Sequence, residues 1–251
     1  MCEICEEPPK KRLGRREFFG VAALLAGSGA FAIASNAMDN GARQCAPLLA
    51  DARKAISPDR AISMLAEGNA RYIAGKPLNC DNLGAMRATA EKQTPFACVL
   101  GCIDSRAAPE LVFDQKIGDV FVGRVAGNIA TPEIIGSLEF ATAVAGTKAI
   151  VVLGHTHCGA IKGAIDQADL SPNLTALLDG IEPAVQATPR EGARSSADQG
   201  LVEAVALTNI RLTVAALTQR SAVLQGLVSE GKLRIIGALY DVGTGRTHFL
   251  A

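Results

Sequence analysis

The stretch Phe96-Ala97-Cys98-Val99-Leu100-Gly101-Cys102-Ile103-Asp104-Ser105-Arg106 decides the fold. Its first six residues are apolar or glycine and lack the polar alternation of a half-buried strand, so they read as a strand covered on both faces. Polar and charged residues follow at once, which marks the strand's exit. The same pattern recurs where Ala149-Ile150-Val151-Val152-Leu153-Gly154 runs directly into His155-Thr156-His157-Cys158-Gly159. Asp119 to Arg124 and Leu233 to Leu239 make two further runs of this kind, giving four predicted strands. Helical patterns separate most of them, at Pro132 to Ala145, Gly159 to Gln167 and Leu201 to Ser229. The alternation predicts an α/β fold, a mostly parallel sheet of four to five strands flanked by helices.

Upstream, Pro58 and Asp59 open a helix whose apolar face carries Ile62, Leu65, Ala66 and Tyr72, ending at Gly75-Lys76-Pro77. Ser171 to Gly200, rich in Pro, Ser and Gly, reads as a surface excursion before the last long helix. The segment 38–57 reads as a linker, and 58–251 as one catalytic domain.

In an open parallel sheet, sites assemble at the carboxyl ends of the strands, so the two exits can meet there. Together they offer Cys102, His155 and Cys158. Two thiolates and one imidazole suit Zn²⁺, and three protein ligands leave the fourth tetrahedral position open, as in catalytic rather than structural zinc. His155 is preferred over His157, because H-x-x-C spacing lets a turn entering a helix aim both side chains at one point. Adjacent side chains diverge.

Composition narrows the partners. The chain has 251 residues, 49% of them hydrophobic, which is enough for one full-sized core. Twenty-five Lys plus Arg balance 25 Asp plus Glu, so no global field gathers nucleic acid or acidic lipid. Having no Trp and only two Tyr argues against a stacking platform for nucleic acid. A small neutral substrate fits better.

The N-terminus is of another composition. Arg15-Arg16-Glu17-Phe18-Phe19 leads into Gly20 to Ala34, apolar but rich in Gly and Ala, and then into Ser35-Asn36-Ala37. Residues 1–37 therefore read as a twin-arginine-type signal peptide cleaved after Ala37, implying passage through the twin-arginine export machinery to the periplasm. An uncleaved membrane anchor is the alternative. Cys2 and Cys5 form a C-x-x-C that cleavage would remove, and a redox role requires them to survive it. Cys98 reads as a small buried hydrophobe, and Cys45 and Cys80 as a pair that an oxidising compartment could join.

From about Pro58 to Leu250 the chain resembles the β-class carbonic anhydrases. The resemblance rests on Gly101-Cys102-Ile103-Asp104-Ser105-Arg106, on Val122-Gly123-Arg124-Val125-Ala126-Gly127-Asn128, on Gly154-His155-Thr156-His157-Cys158-Gly159-Ala160 and on Gly237-Ala238-Leu239-Tyr240-Asp241. Glu67-Gly68-Asn69-Ala70-Arg71-Tyr72 also fits. It implies an N-terminal helical arm that embraces a partner, a homodimer or dimer of dimers, one zinc ion per chain, and reversible hydration of carbon dioxide to bicarbonate. Asp104 and Arg106 are the implied catalytic pair, Asp104 accepting a hydrogen bond from the reactive water while Arg106 holds it ionised. The implied substrate contacts are Gln93, Phe121, Phe140 and the amide of Gly159. Phe140 stands where plant-like members carry Tyr, so a hydroxyl is missing, and Ala126 stands where they carry the larger Val; these departures bear on pocket polarity and not on the reaction.

Two other functions share these ligands. A related zinc hydrolase of CS₂ or COS would differ only in its pocket, while a zinc- or bicarbonate-binding module without catalysis would be expected to lack Asp104 or Arg106. Two thiolates leave zinc less electropositive than an all-histidine set does, so hydration activity should rise from neutral to alkaline pH. A flat stopped-flow profile over that range would count against the assignment.

Overall fold

The computed structural model describes residues 45–46 and 50–250. The predicted signal segment with Cys2 and Cys5 lies outside the described residues. The described residues all belong to one compact unit.

Five strands form one sheet: β1 (Ala97–Gly101), β2 (Val120–Arg124), β3 (Ala149–His155), β4 (Arg234–Tyr240) and β5 (Thr247–Phe249), in the order β2-β1-β3-β4-β5. The first four are parallel, and β5 returns antiparallel along β4. Every residue of the central strands β1 and β3 is buried, as their unbroken apolar runs require. The edge strand β2 is only half-buried.

The chain order reverses at β1, which has β2 on one side and β3 on the other. Such a switch point opens a crevice at the carboxyl ends of the two strands, because their following segments depart in opposite directions. The register pairs Gly101 with Leu153, so Cys102 and His155 leave the sheet within two residues of each other.

Helices cover both faces. The helices are α1 (Ala50–Lys54), α2 (Pro58–Ile73), α3 (Asn82–Ala88), α4 (Pro109–Val112), α5 (Pro132–Glu139), α6 (Gly159–Ile165), α7 (Pro172–Asp179), α8 (Glu182–Ala187), α9 (Gln199–Arg220) and α10 (Ala222–Ser229). One face packs Val99, Val151, Leu153 and Ala238 against Ala61 and Leu65 of α2, and the other packs Leu100, Ile150 and Val152 against Ile210, Leu217 and Leu224.

Four expectations need adjustment. The buried stripe of α2 is Ala61, Leu65, Gly68 and Asn69, one residue round from the predicted face, and Tyr72 is 37% exposed. The segment 171–200 is no surface excursion: α7 and α8 bury Leu178, Ile181, Ala184 and Val185 beside Cys102 and Cys158. The single predicted helix from Leu201 to Ser229 is two, because Ser221 is extended and its hydroxyl accepts from the amide of Leu224 to start α10. The stretch read as a linker contains α1. Cys45 and Cys80 form a disulfide, with their Cα atoms 5.3 Å apart.

Two neighbouring residues seat α2. Asn69 donates from Nδ2 to the carbonyls of Val112 and Gly245, each at 2.9 Å, and its Oδ1 accepts from the amide of Thr247. Gly68 lies so close to the next segment that a Cβ there would sit 1.7 Å from the carbonyl oxygen of Phe113. That contact is with backbone, which cannot swing away. Gly68→Ala should therefore destabilise the protein by about 2–3 kcal/mol in chemical denaturation. Gly226→Ala in α10, where a Cβ would meet nothing within 4 Å, should be neutral or stabilise by up to about 1 kcal/mol.

Candidate metal centre

Cys102 follows β1 directly, and the segment after it is held by side chains rather than by the strand ladder. The amide of Gly127 donates to Cys102 Sγ at 3.4 Å. Gly127 adopts φ 71°, in the left-handed region that glycine enters freely, and this turns its amide toward the sulfur. Its carbonyl accepts from Nδ2 of the buried Asn209, on α9, at 2.7 Å. Arg124, at the end of β2, donates from Nε to the carbonyl of Cys102 at 2.7 Å and from Nη2 to that of Asp104 at 2.6 Å.

His155 is the last residue of β3 and is 1% exposed. Its Nδ1 lies 2.9 Å from the carbonyl of Thr156, which can only accept, so Nδ1 carries the proton and Nε2 keeps its lone pair. Nε2 is buried with no hydrogen-bond partner. Thr156 is itself tied to the β4 exit: its amide donates to the carbonyl of Tyr240 and its hydroxyl accepts from the amide of Val242. His157 then takes φ 56° and faces solvent. That left-handed residue turns the chain so that Cys158, heading α6, comes back to the side of His155.

The ligand atoms of Cys102, His155 and Cys158 all lie within 4.8 Å of one another, and all three residues are buried. A hydrogen bond from Cys158 pulls Cys102 down to about 4, and the same bond, with burial, pushes Cys158 up. The amides of Ala160 and Ile161 work in the opposite sense on Cys158 and favour its thiolate. A buried imidazole nitrogen without a hydrogen-bond partner, beside one sulfur that favours the thiolate and a second whose thiolate two amides support, fits a zinc ion in its donor chemistry. Cys98, by contrast, is buried within β1, where desolvation pushes its thiol up to about 12. It behaves as the small hydrophobe expected of it.

Asp104 and Arg106 stand at the rim. Arg106 donates to both carboxylate oxygens, from Nε to Oδ1 at 3.0 Å and from Nη2 to Oδ2 at 2.8 Å, while its amide donates to Oδ1 at 2.9 Å. The hydrogen bond from Arg106 holds Asp104 at about 2, so it is ionised at any working pH. Asp104 Oδ2 lies 3.9 Å from His155 Nε2, which places the carboxylate beside the ligand cluster. Gly159, the first residue of α6, is exposed, with open space where a Cβ would be.

The remaining predicted contacts are elsewhere in this chain. Gln93 precedes β1, at the opposite end of the strand from Cys102, and is exposed. Phe121 pairs in register with Cys98, and its ring meets Phe140 edge-on at 6.4 Å. The cavity of about 500 Å³ that they line also includes Val122, Ile134 and Leu138, but none of the three ligand candidates. Phe140 opens a π-helical turn, Phe140–Val144, that continues α5 and leaves the ring 52% exposed. Sequence reasoning assigned no role to Arg124 or Asn209. Arg124 lay inside a quoted motif, whereas nothing in the sequence around Asn209 marks it.

The family model for carbonic anhydrase matches residues 97–247. The carbonic anhydrase of Mycolicibacterium smegmatis is 38% identical over 192 residues, covering 76% of this chain and 92% of its own. Carbonic anhydrase 2 of Mycobacterium tuberculosis is 34% identical over 195 residues, covering 76% and 91%. Among solved structures, the β-carbonic anhydrase CafA of Aspergillus fumigatus superposes with a TM-score of 0.58 at 26% identity, covering 76% of this chain and 89% of that one. A tetrameric β-carbonic anhydrase of Sordaria macrospora shares the fold, with a TM-score of 0.57 at 21% identity and coverage of 89% of this chain and 97% of that one.

Asn209→Ala leaves the carbonyl of Gly127 without its donor and frees the turn whose amide faces Cys102 Sγ. The substitution should cost about 1–3 kcal/mol in thermal or chemical unfolding. It should also speed loss of bound zinc to a chromogenic chelator, by roughly tenfold.

Proposed function

We infer the reaction from family: the chain belongs to the β-carbonic anhydrases, whose activity is the zinc-dependent, reversible hydration of carbon dioxide to bicarbonate and a proton. We assign Cys102, His155 and Cys158 as the ligands of one zinc ion per chain. One observation carries the assignment: the partnerless, buried Nε2 of His155 faces two buried sulfurs, all within 4.8 Å.

Zinc held by these residues supplies the Lewis acidity that lets water ionise near neutral pH. The chain's own groups do the rest. Asp104, ionised by its contact with Arg106, can only accept hydrogen bonds. A water that donates to Asp104 Oδ2 has its lone pair turned away from the carboxylate, toward the approaching carbon. Ile129, Ile161, Leu201 and Val205 pack in the same core cluster as Cys102 and Cys158, so the ligands are backed by apolar surroundings. We assign the amide of Gly159, an exposed residue at the head of α6, to donate to a bicarbonate oxygen, as the resemblance implies.

Gln93, Phe121 and Phe140 are assigned to the site of a second copy. They lie away from the ligands of their own chain, β2 is the half-buried edge of the sheet, and Phe140, whose ring meets Phe121 of β2, is 52% exposed. A homodimer would cover that apolar surface and complete both sites, and a dimer of dimers would match the Sordaria macrospora protein. Export by the twin-arginine route is supported by Arg15-Arg16 ahead of a weakly apolar run. The disulfide between Cys45 and Cys80 suits an oxidising compartment.

The deciding experiment is stopped-flow carbon dioxide hydration by the purified mature protein, with zinc content, solution mass and N-terminal sequence read on the same sample. Fast hydration proportional to one zinc per chain is expected, from a particle of twice or four times the chain mass that begins after Ala37. Cys158→Ser should lose both zinc and activity. Zinc bound without hydration at neutral to alkaline pH would overturn the reading in favour of CS₂ or COS hydrolysis.

A further inference from the structure

We propose that Arg124 is a positioning residue of this centre: its guanidinium clamps the turn that carries both Cys102 and Asp104, holding the metal ligand and the rim carboxylate in one register. The proposal rests on the hydration reading given above. The strand register places Arg124 there. β1 and β2 pair up to Gly101 opposite Arg124, and the amide of Val125 adds a last ladder bond to the carbonyl of Gly101. Beyond that point β1 turns away, and the carbonyls of Cys102 and Asp104 meet the side chain of Arg124 instead of a strand amide.

One planar group thus replaces the next step of the ladder. Its Nε bond at 2.7 Å and Nη2 bond at 2.6 Å fix two carbonyls that flank Ile103. Because the guanidinium is rigid, the two carbonyls are fixed relative to each other as well as to β2. The carbonyl of Asp104 also accepts from the amide of Ala107 at 3.0 Å, which closes the turn. Ile103 itself is 61% exposed and contributes little packing, so no buried side chain between the ligand and the carboxylate would hold this geometry in place of Arg124. A lysine offers a single point charge and could satisfy one carbonyl at a time. Arg124 touches neither donor atom of the site; its action passes through the backbone it holds.

The test compares zinc-loaded wild type with Arg124→Ala and Arg124→Lys. In Arg124→Ala, kcat per bound zinc should fall about tenfold or more, with KM for carbon dioxide little changed, and zinc release to a chelator should be about tenfold faster. Arg124→Lys should fall between the two. Because Arg124 is exposed, millimolar guanidinium should restore part of the lost kcat in Arg124→Ala and nothing in wild type. If Arg124→Ala does not fold, the kcat and chelator measurements on Arg124→Lys decide. A lowered melting temperature with kcat per zinc, chelator rate and pH profile all equal to wild type would overturn the proposal and leave Arg124 a structural residue. Wild type that binds zinc but hydrates no carbon dioxide would overturn the hydration reading instead, and the chelator rates would still judge the clamp.

Discussion

The structure depends on the parallel pairing of β1 with β3. Both strands are buried along their whole length, so neither can slip by one residue without exchanging the two packed faces of the sheet. The pairing sets Gly101 opposite Leu153 and so fixes where the chain leaves the sheet on each side of the switch point. The same pairing carries position 102 to the neighbourhood of position 155. The ligand cluster is therefore a product of register, and the apolar side chains that enforce the register are the largest contribution to building it.

Once the register is set, the exits are shaped by hydrogen bonds rather than by packing. Cys102 is approached by a glycine amide, His155 is oriented through the carbonyl of its own neighbour, and Cys158 is returned by a left-handed residue at His157. Each of these bonds uses backbone groups that a strand ladder no longer satisfies. The polar groups at the switch point thus meet their bonding requirement by organising the site, which is why a buried histidine nitrogen left over from this network stands out.

Legibility in the sequence follows the same division. The four parallel strands could be read because burial on both faces leaves continuous apolar runs, and H-x-x-C with C-x-D-x-R at two strand exits is too specific a combination to arise from packing. The helices between 172 and 187 could not be read, since each is short and carries Pro near its start, so periodicity has little room to show. The break at Ser221 was hidden because apolar residues continue on both sides of it, and what ends α9 is one residue's backbone angle. Asn209 was invisible for a further reason: a buried amide on a long helix looks like any other polar residue until its partner, here the carbonyl of Gly127, is known. Gln93, Phe121 and Phe140 could be matched by resemblance, but a single chain's sequence does not say whose site they enter.

The ligands and the rim pair also differ in how firmly they are held. Cys102, His155 and Cys158 are at most 4% exposed, so moving any of them disturbs packed surroundings. Arg106 has a side chain 52% exposed, where an ion pair contributes about 1 kcal/mol or less. Coulomb attraction alone would not hold Asp104 in one orientation against solvent. What does hold it is local: its Oδ1 accepts from the amide of Arg106, a turn that the side chain makes with its own backbone, and its carbonyl is bonded on the other side. A carboxylate anchored through backbone, beside a rigid and buried set of donors, keeps its aim while its guanidinium partner remains free to exchange with water. On the proposed function, that asymmetry lets the rim pair respond to substrate and product without loosening the metal.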